Sequence, residues 1–312
     1  MIPIIDITPL VSRGAKQEGV VNEIRNACET VGFFYVIGHG ISLDIQTKIF
    51  STARDFFALP EHVKHGVGVA KSRCFRGHVP FALTGPNVPK RMLEAFQMML
   101  DLGPADPDVA VGNIMYGSNQ WPEDSPRMRA ILEAYYKEME TLSNYLLSAF
   151  ARALGEDPEF FNTYYQKPMT QLRLLHYPYV ESDNLEDQQG VEAHTDTGAF
   201  TILMQDDISG LEIRARDGNW LAATPIEDAF VINVGDMMQW WTAYRFISTP
   251  HRVTNRSGRS RYSVPFFVNP DRSAVINQLG VDPDDSGAKF EVGAHVEEAF
   301  VDAWPRDPTG VG

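Results

Sequence analysis

Residues 194 to 206 read HTDTGAFTILMQD. A histidine and an aspartate stand two apart, a small flexible TGA follows, and FTILMQ then runs as a short apolar strand. Runs of the same kind surround it. LRLLHYPYV (172–180), GLEIRA (210–215), NWLAAT (219–224), AFVINV (229–234), HRVTN (251–255) and YSVPFFVN (262–269) are all short and rich in β-branched or aromatic residues. Turn formers separate them, among them Asp217-Gly218, Asn233 with Gly235, and Ser257-Gly258. Many strands at short spacing predict a double-sheet sandwich or barrel rather than alternating βαβ units.

Upstream of Pro168 the period changes to that of helices. Val20, Ile24, Ala27, Cys28 and Val31 predict an amphipathic helix over 16–31, stopped by Gly32. The strand-like FFYVIGHGI follows. Ser42 caps a second helix carrying Ile45, Ile49, Ala53, Phe56 and Phe57, with Pro60 ending it. Residues 61–92, rich in Gly, Pro and charge, read as a loop region. The longest helix starts at Ser125-Pro126 and ends near Gly155, with Ile131, Leu132, Tyr135, Met139, Leu142, Leu146 and Phe150 on one side. A shorter helix is expected over about 157–166. Together these predict one compact unit over 1–312, mainly helical over about 1–166, with a β core over about 167–312.

The chain of 312 residues is 44% hydrophobic and 22% charged, with a formal net charge of -14. This is ordinary globular composition. The acidic balance argues against general affinity for nucleic acid or anionic membrane, but one local arginine can still hold an anionic small molecule. Two cysteines make no disulfide framework, and Cys28 falls on a helix's apolar stripe. No apolar run approaches the roughly 18 residues needed to span a bilayer, and MIPIIDITPL lacks the features of a signal peptide. A cytoplasmic protein is expected, either a monomer or a small homo-oligomer.

On a strand, His194 and Asp196 would present an imidazole and a carboxylate on one face while Thr195 faces away. His251, which opens the strand HRVTN, is the best third ligand among the eight histidines. Two imidazoles and a carboxylate favour a divalent metal of the iron type with open positions, whereas a structural zinc site is closed and richer in cysteine. Ten residues later Arg261 and Ser263 stand two apart in RYSVPFF. An arginine on an apolar strand is costly unless it meets an anion, and its planar fork fits a carboxylate, with the Ser263 hydroxyl as a further donor.

His194-Thr-Asp196-x-Gly198, Asn233-x-Gly235-Asp236, the stretch Ser248-Thr-Pro-His251-Arg-Val and Arg261-x-Ser263 resemble, in order and spacing, the Fe(II)- and 2-oxoglutarate-dependent oxygenases related to isopenicillin N synthase. PIIDI at 3–7 and GFFYVIGHGI at 32–41 resemble the same family's amino-terminal region. The resemblance implies a mixed α+β fold, a distorted double-stranded β-helix (jelly roll) with N-terminal and supporting helices. It implies that His194, Asp196 and His251 bind Fe(II), and that Arg261, Ser263 and Tyr177 hold 2-oxoglutarate. Asn233 and Asp236 would order a turn beside the metal. The implied activity uses O2 to oxidise a C–H bond of a small metabolite by hydroxylation, desaturation or ring formation, releasing succinate and carbon dioxide. A relative acting without 2-oxoglutarate, a non-catalytic binding relative and a zinc hydrolase are the competing readings.

Two departures stand out. Leu175-His176-Tyr177-Pro178 replaces the Asn-Tyr-Tyr-Pro of many relatives, and Ala243-Tyr244 replaces their Asn-Gly. Strand alternation turns His176 away from the face carrying Tyr177. Substrate contacts are expected from the variable stretches: Arg73, Arg76, Gly77, Phe81, Glu94, Phe96, Arg173 and Tyr244.

Overall fold

The computed structural model describes residues 1–81, 92–123, 125–179, 189–281 and 289–304. Part of the expected 61–92 loop and the end of LRLLHYPYV lie outside these. Eight strands form a large sheet in the order β1 (Ile4–Asp6), β2 (Phe33–Ile37), β10 (Phe230–Val234), β7 (Phe200–Gln205), β12 (Arg261–Val268), β5 (Gln171–Tyr177), β4 (Glu94–Met99) and β3 (Gly77–Val79). Four form a smaller sheet in the order β6 (Gln189–His194), β11 (His251–Thr254), β8 (Leu211–Arg214) and β9 (Trp220–Ala222). A third pair joins β13 (Val275–Asn277) to β14 (Lys289–Glu291). The helices are α1 (Thr8–Val11), α2 (Gln17–Thr30), α3 (Leu43–Phe57), α4 (Glu61–Gly66), α5 (Pro107–Ala110), α6 (Pro126–Leu154), α7 (Asp236–Trp241) and α8 (Val292–Ala303). This is the mixed α+β jelly-roll class that the resemblance implies, and two sheets rather than a barrel answer the double-sheet expectation from strand spacing.

Alternation along the large sheet makes two different surfaces. On β7, Phe200, Ile202 and Met204 are buried on one face, and on β12 Val264, Phe266 and Val268 match them. That face meets α6: Phe150 packs edge-on to Phe200 at 5.2 Å and Tyr136 to Phe266 at 5.2 Å. Leu132, Tyr135, Met139, Leu142, Leu146 and Phe150 are all buried on the helix, each removal of such a side chain from water contributing about 1.5–3 kcal/mol. The alternate residues, Thr201 and Leu203 on β7 and Arg261, Ser263, Pro265 and Phe267 on β12, face a cavity. Thus α6 covers one side of the sheet and leaves the other for chemistry.

Several elements depart from the spacing-based expectation. All seven strand candidates after Pro168 are strands, but the first half is less purely helical: β1 to β4 precede residue 100 and belong to the large sheet. The 61–92 stretch contains α4, a 3-10 turn at Val69–Lys71 and β3. Only a 3-10 turn at Asn162–Tyr164 occupies the region of the expected 157–166 helix. Ser42 caps α3 by accepting from the Ile45 N–H at 3.4 Å, whereas the Ser125 side chain makes no capping bond to α6. Gly155 ends α6 at φ 88°, the left-handed conformation that glycine tolerates. Ala243 and Tyr244 also lie in left-handed space, at φ 51° and 62°. Asn-Gly, the pair that the family resemblance leads one to expect there, would suit that geometry better than Ala or Tyr.

Candidate active site

The smaller sheet brings the two histidines together. In the antiparallel pairing of β6 with β11, His194 lies opposite His251, and their ring centroids are 4.3 Å apart. Asp196 reaches the same point differently from the expectation. The strand ends at His194, and Asp196 sits in the turn that follows. Its Oδ1 is 3.8 Å from His194 Nε2 and 3.7 Å from His251 Nε2. One ligand atom from each of the three residues thus lies within 4.8 Å of the others, a spacing that could hold a metal ion.

The remaining polar atoms of the trio are committed elsewhere. His194 Nδ1–H donates to the Glu192 carbonyl at 2.8 Å, and His251 Nδ1–H donates to the Thr249 carbonyl at 3.3 Å. Each bond fixes the tautomer that leaves an Nε2 lone pair pointing at the shared space. Asp196 Oδ2 accepts from Thr201 Oγ1 at 2.5 Å and from Asn233 Nδ2 at 2.7 Å, so Oδ1 is the oxygen left over. Burial pushes the Asp196 carboxyl up, but the His251 and His194 imidazoles and the two donors outweigh it and hold the group below its ordinary value.

Close backbone approach builds the turn. A Cβ on Gly235 would fall 2.2 Å from the Gly198 carbonyl oxygen, and one on Gly198 would fall 2.1 Å from Asn269 Oδ1. Asp236 N donates to the Asp196 carbonyl at 2.7 Å and Asp236 Oδ2 accepts from Thr195 Oγ1 at 2.8 Å. Asn233 and Asp236 therefore serve the turn at Asp196, Asn233 through a direct bond to the carboxylate. Asp236 opens α7, a short helix hidden in a stretch read only as a turn. Thr195 does not face away: it lines the cavity and bonds to Asp236.

The Arg261-Ser263 pair lies on β12, and Arg261 is opposite Tyr177 of β5, with its guanidinium 5.0 Å from the ring centroid. Arg261 is fully buried. It donates to Gln205 Oε1 at 2.8 Å, to the Ile208 carbonyl at 3.2 Å and to Ser263 Oγ at 3.3 Å. All three acceptors are neutral. Among the described residues no carboxylate lies within ion-pair distance of Arg261. His176 turns to the opposite face, where its Nδ1 meets Glu94 Oε1 at 2.8 Å.

Triad, clamp and Tyr177 line one cavity of about 370 Å³, the small end of the range for small-molecule sites. Leu175 also lines it, and its side chain offers no hydrogen bond. Among the residues expected near substrate, Arg173 lines the cavity and the others do not. Arg76 is fully buried and donates to the Met115 and Cys74 carbonyls. Phe96 packs against Phe56 at 4.8 Å, Gly77 on β3 pairs with Gln97 on β4, and Glu94 joins Lys64, His78 and His176 outside the cavity. Phe81 and Tyr244 are 43% and 64% exposed, and Arg73 lies in an exposed loop. A wall with no counterpart in the expectation comes from α8, whose Val296, Ala299, Phe300 and Ala303, followed by Trp304, face the cavity. Val292, Val296, Phe300 and Trp304 recur every four residues in the sequence, a helix signal that could have found it.

Two family models match the chain. The N-terminal model of the non-haem dioxygenases of morphine synthesis covers residues 2–124, and the model of the 2OG-Fe(II) oxygenase superfamily covers residues 168–270. Clavatol oxidase of Penicillium crustosum is 34% identical over 310 residues, covering 93% of this chain and 92% of its own. The 2-oxoglutarate-dependent dioxygenase citB of Monascus ruber is 38% identical over 286 residues, covering 86% and 84%. A full-length Neurospora crassa structure solved in complex with alpha-KG and thymine has a TM-score of 0.83 at 26% identity, covering 96% of each chain.

Proposed function

The chain belongs to the 2OG-Fe(II) oxygenase superfamily and is a non-haem Fe(II)- and 2-oxoglutarate-dependent oxygenase of a small molecule; from that premise we propose that His194, Asp196 and His251 hold the iron and that Arg261, Ser263 and Tyr177 hold the far carboxylate of 2-oxoglutarate. The observation that carries the assignment is the division of labour inside the trio. Both Nδ1 atoms and Asp196 Oδ2 are tethered to protein, and the Nε2 atoms and Asp196 Oδ1 face one another. Two imidazole nitrogens and one carboxylate oxygen suit Fe(II) with open positions.

Each residue then has a definite task. The Glu192 and Thr249 carbonyls hold the imidazoles in the tautomer that can ligate. Thr201 and Asn233 keep the carboxylate ionised and aim Oδ1. Arg261 supplies the charge for the cosubstrate's distal carboxylate, with Tyr177 beneath the guanidinium and Gln205 fixing its plane. When bound, iron with 2-oxoglutarate and O2 supplies the oxidising chemistry, converting the cosubstrate to succinate and carbon dioxide as a substrate C–H bond is oxidised. Phe33, Leu203, Leu211 and Val253 line the space with apolar surface and limit water there.

Among the described residues no helix is long and apolar enough to cross a membrane. With a net charge of -14, the reading is of a cytoplasmic enzyme, monomeric or a small homo-oligomer, that does not engage nucleic acid.

Anaerobic addition of Fe(II) and then 2-oxoglutarate tests the assignment. A weak visible absorption band is expected in the parent and is lost in His194→Ala, while Arg261→Gln requires far more 2-oxoglutarate to reach it. No band in the parent, with no succinate formed under oxygen, overturns it.

A further inference from the structure

Two neutral hydrogen-bond donors line the cavity with nothing to donate to. Gln171 Nε2, on β5, and Trp304 Nε1, just past α8, are buried without a hydrogen-bond partner among the described residues. Gln171 is 4% exposed and Trp304 7%. Folding rarely leaves such donors buried and unanswered. Trp241 Nε1 is also unpartnered, but its ring is packed by Phe161 and Tyr164 at 4.8 and 4.9 Å in the core, outside the cavity.

Sheet register places these donors on the metal's side of the cavity. Gln171 pairs with Phe267 of β12, and Phe267 pairs in turn with Thr201 of β7, whose hydroxyl holds Asp196. Gln171 therefore stands in the same transverse row as the Asp196 tether, two strands and roughly 10 Å across the sheet. The Arg261-Tyr177 pair lies six residues along β5 from Gln171, roughly 20 Å away. Arg173, two residues after Gln171 and on the same face, has its guanidinium 5.4 Å from the centroid of the Trp304 ring, which brings Trp304 to the Gln171 end of the strand. Arg173 is itself engaged within the chain. Around the two donors the surface is apolar, through Phe267, Val296 and Phe300. An indole N–H can only donate, and a carbonyl oxygen offers two lone pairs, one for each donor.

We infer that the primary substrate is a carbonyl compound, a ketone, amide or lactone on an apolar ring, its oxygen accepting from Trp304 Nε1 and Gln171 Nε2 and its ring against Phe267, Val296 and Phe300. This rests on the reading of the metal and cosubstrate site above and specifies which molecules that site accepts.

The test is calorimetric titration into enzyme loaded with redox-inert Mn(II) and 2-oxoglutarate. The probes are pairs of similar shape with and without the carbonyl oxygen: acetophenone with α-methylstyrene, dihydrocoumarin with chromane, and 3,4-dihydro-2-quinolinone with 1,2,3,4-tetrahydroquinoline. At least one carbonyl compound is expected to bind about tenfold or more tightly than its partner, which leaves both buried donors stranded. Trp304→Phe and Gln171→Leu each remove one donor, and each is expected to lower that ratio about threefold or more while the affinity for 2-oxoglutarate holds. If one variant does not fold, the parent's ratio and the other variant decide. Paired probes binding alike in the parent, no probe binding at all, or a ratio unchanged in either folded variant overturns the inference. Failure of the underlying site reading appears separately, as a parent enzyme that does not take up 2-oxoglutarate before any probe is added.

Discussion

Thr201→Val isolates the tether on Asp196. The substitution keeps the shape of the side chain and removes the hydroxyl that donates to Oδ2 at 2.5 Å, leaving Asn233 as the remaining donor at 2.7 Å. With one tether the carboxylate plane can swing, and Oδ1 no longer sits at a fixed 3.7–3.8 Å from the two Nε2 atoms. Loss of such an outer hydrogen bond lowers metal affinity about 10–100-fold, or about 1.4–2.7 kcal/mol. Mn(II) or Co(II) titration at fixed pH reads the change directly. A second signature follows from charge. Burial raises the Asp196 carboxyl, and the imidazoles with Thr201 and Asn233 bring it below its ordinary value of 3.8. A depressed carboxyl stabilises the fold above its unfolded-state value and loses that contribution as pH falls through the folded value. The metal-free variant is therefore less stable than the parent at neutral pH, and the gap closes as pH drops below about 4. A metal affinity within twofold of the parent's, in a variant with an unchanged melting profile, would refute the reasoning.

Two further substitutions probe features outside the cavity. Glu94→Gln removes the carboxylate that meets Lys64 at 2.9 Å, His78 at 3.1 Å and His176 at 2.8 Å, in a cluster where the Lys64 side chain is 4% exposed. Because it strands a buried ammonium, it is expected to cost about 3 kcal/mol in urea denaturation while metal affinity holds; a loss under about 1 kcal/mol would mean that Glu61 alone suffices for Lys64. Tyr244→Gly relieves a left-handed residue whose side chain is 64% exposed and is expected to stabilise by about 0.5–1 kcal/mol, the strain released less the added freedom of the unfolded chain. A lower melting temperature would show that the Tyr244 ring contributes more than its backbone strain.

Strand alternation made the β core legible, because residues such as Phe200, Ile202 and Met204 alternate with Thr201 and Leu203 between two buried but different faces. The His194, Asp196 and His251 trio was legible only together with Arg261 and Ser263, whose order and spacing with it resemble one family, since an H-x-D pair alone is a weak signal. What stayed hidden depended on distance in three dimensions. Nothing in the H-x-D spacing points to Thr201 as a partner of Asp196, since the turn folds back by way of the close contact between Gly198 and Gly235. Strand β6 is short and carries one large apolar residue, Val191, so its period is weak. Arg76 was expected near substrate because it stands in RCFRGHVPF, a stretch where the family resemblance leads one to expect substrate contacts. Only the fold shows it fully buried and bonded to the Cys74 and Met115 main-chain carbonyls.

The α8 wall divides the enzyme into parts that can change at different speeds. The proposed iron ligands His194 and His251 and the proposed Arg261-Ser263 clamp are fixed by sheet register, where a one-residue slip would turn side chains to the wrong face, and Asp196 is fixed by the turn after β6. The apolar wall opposite is a single helix face, in which Val296, Ala299, Phe300 and Ala303 occupy successive turns. A lineage acquiring a new substrate can therefore rewrite a short run of codons for one helix and leave the residues proposed to hold iron and 2-oxoglutarate intact.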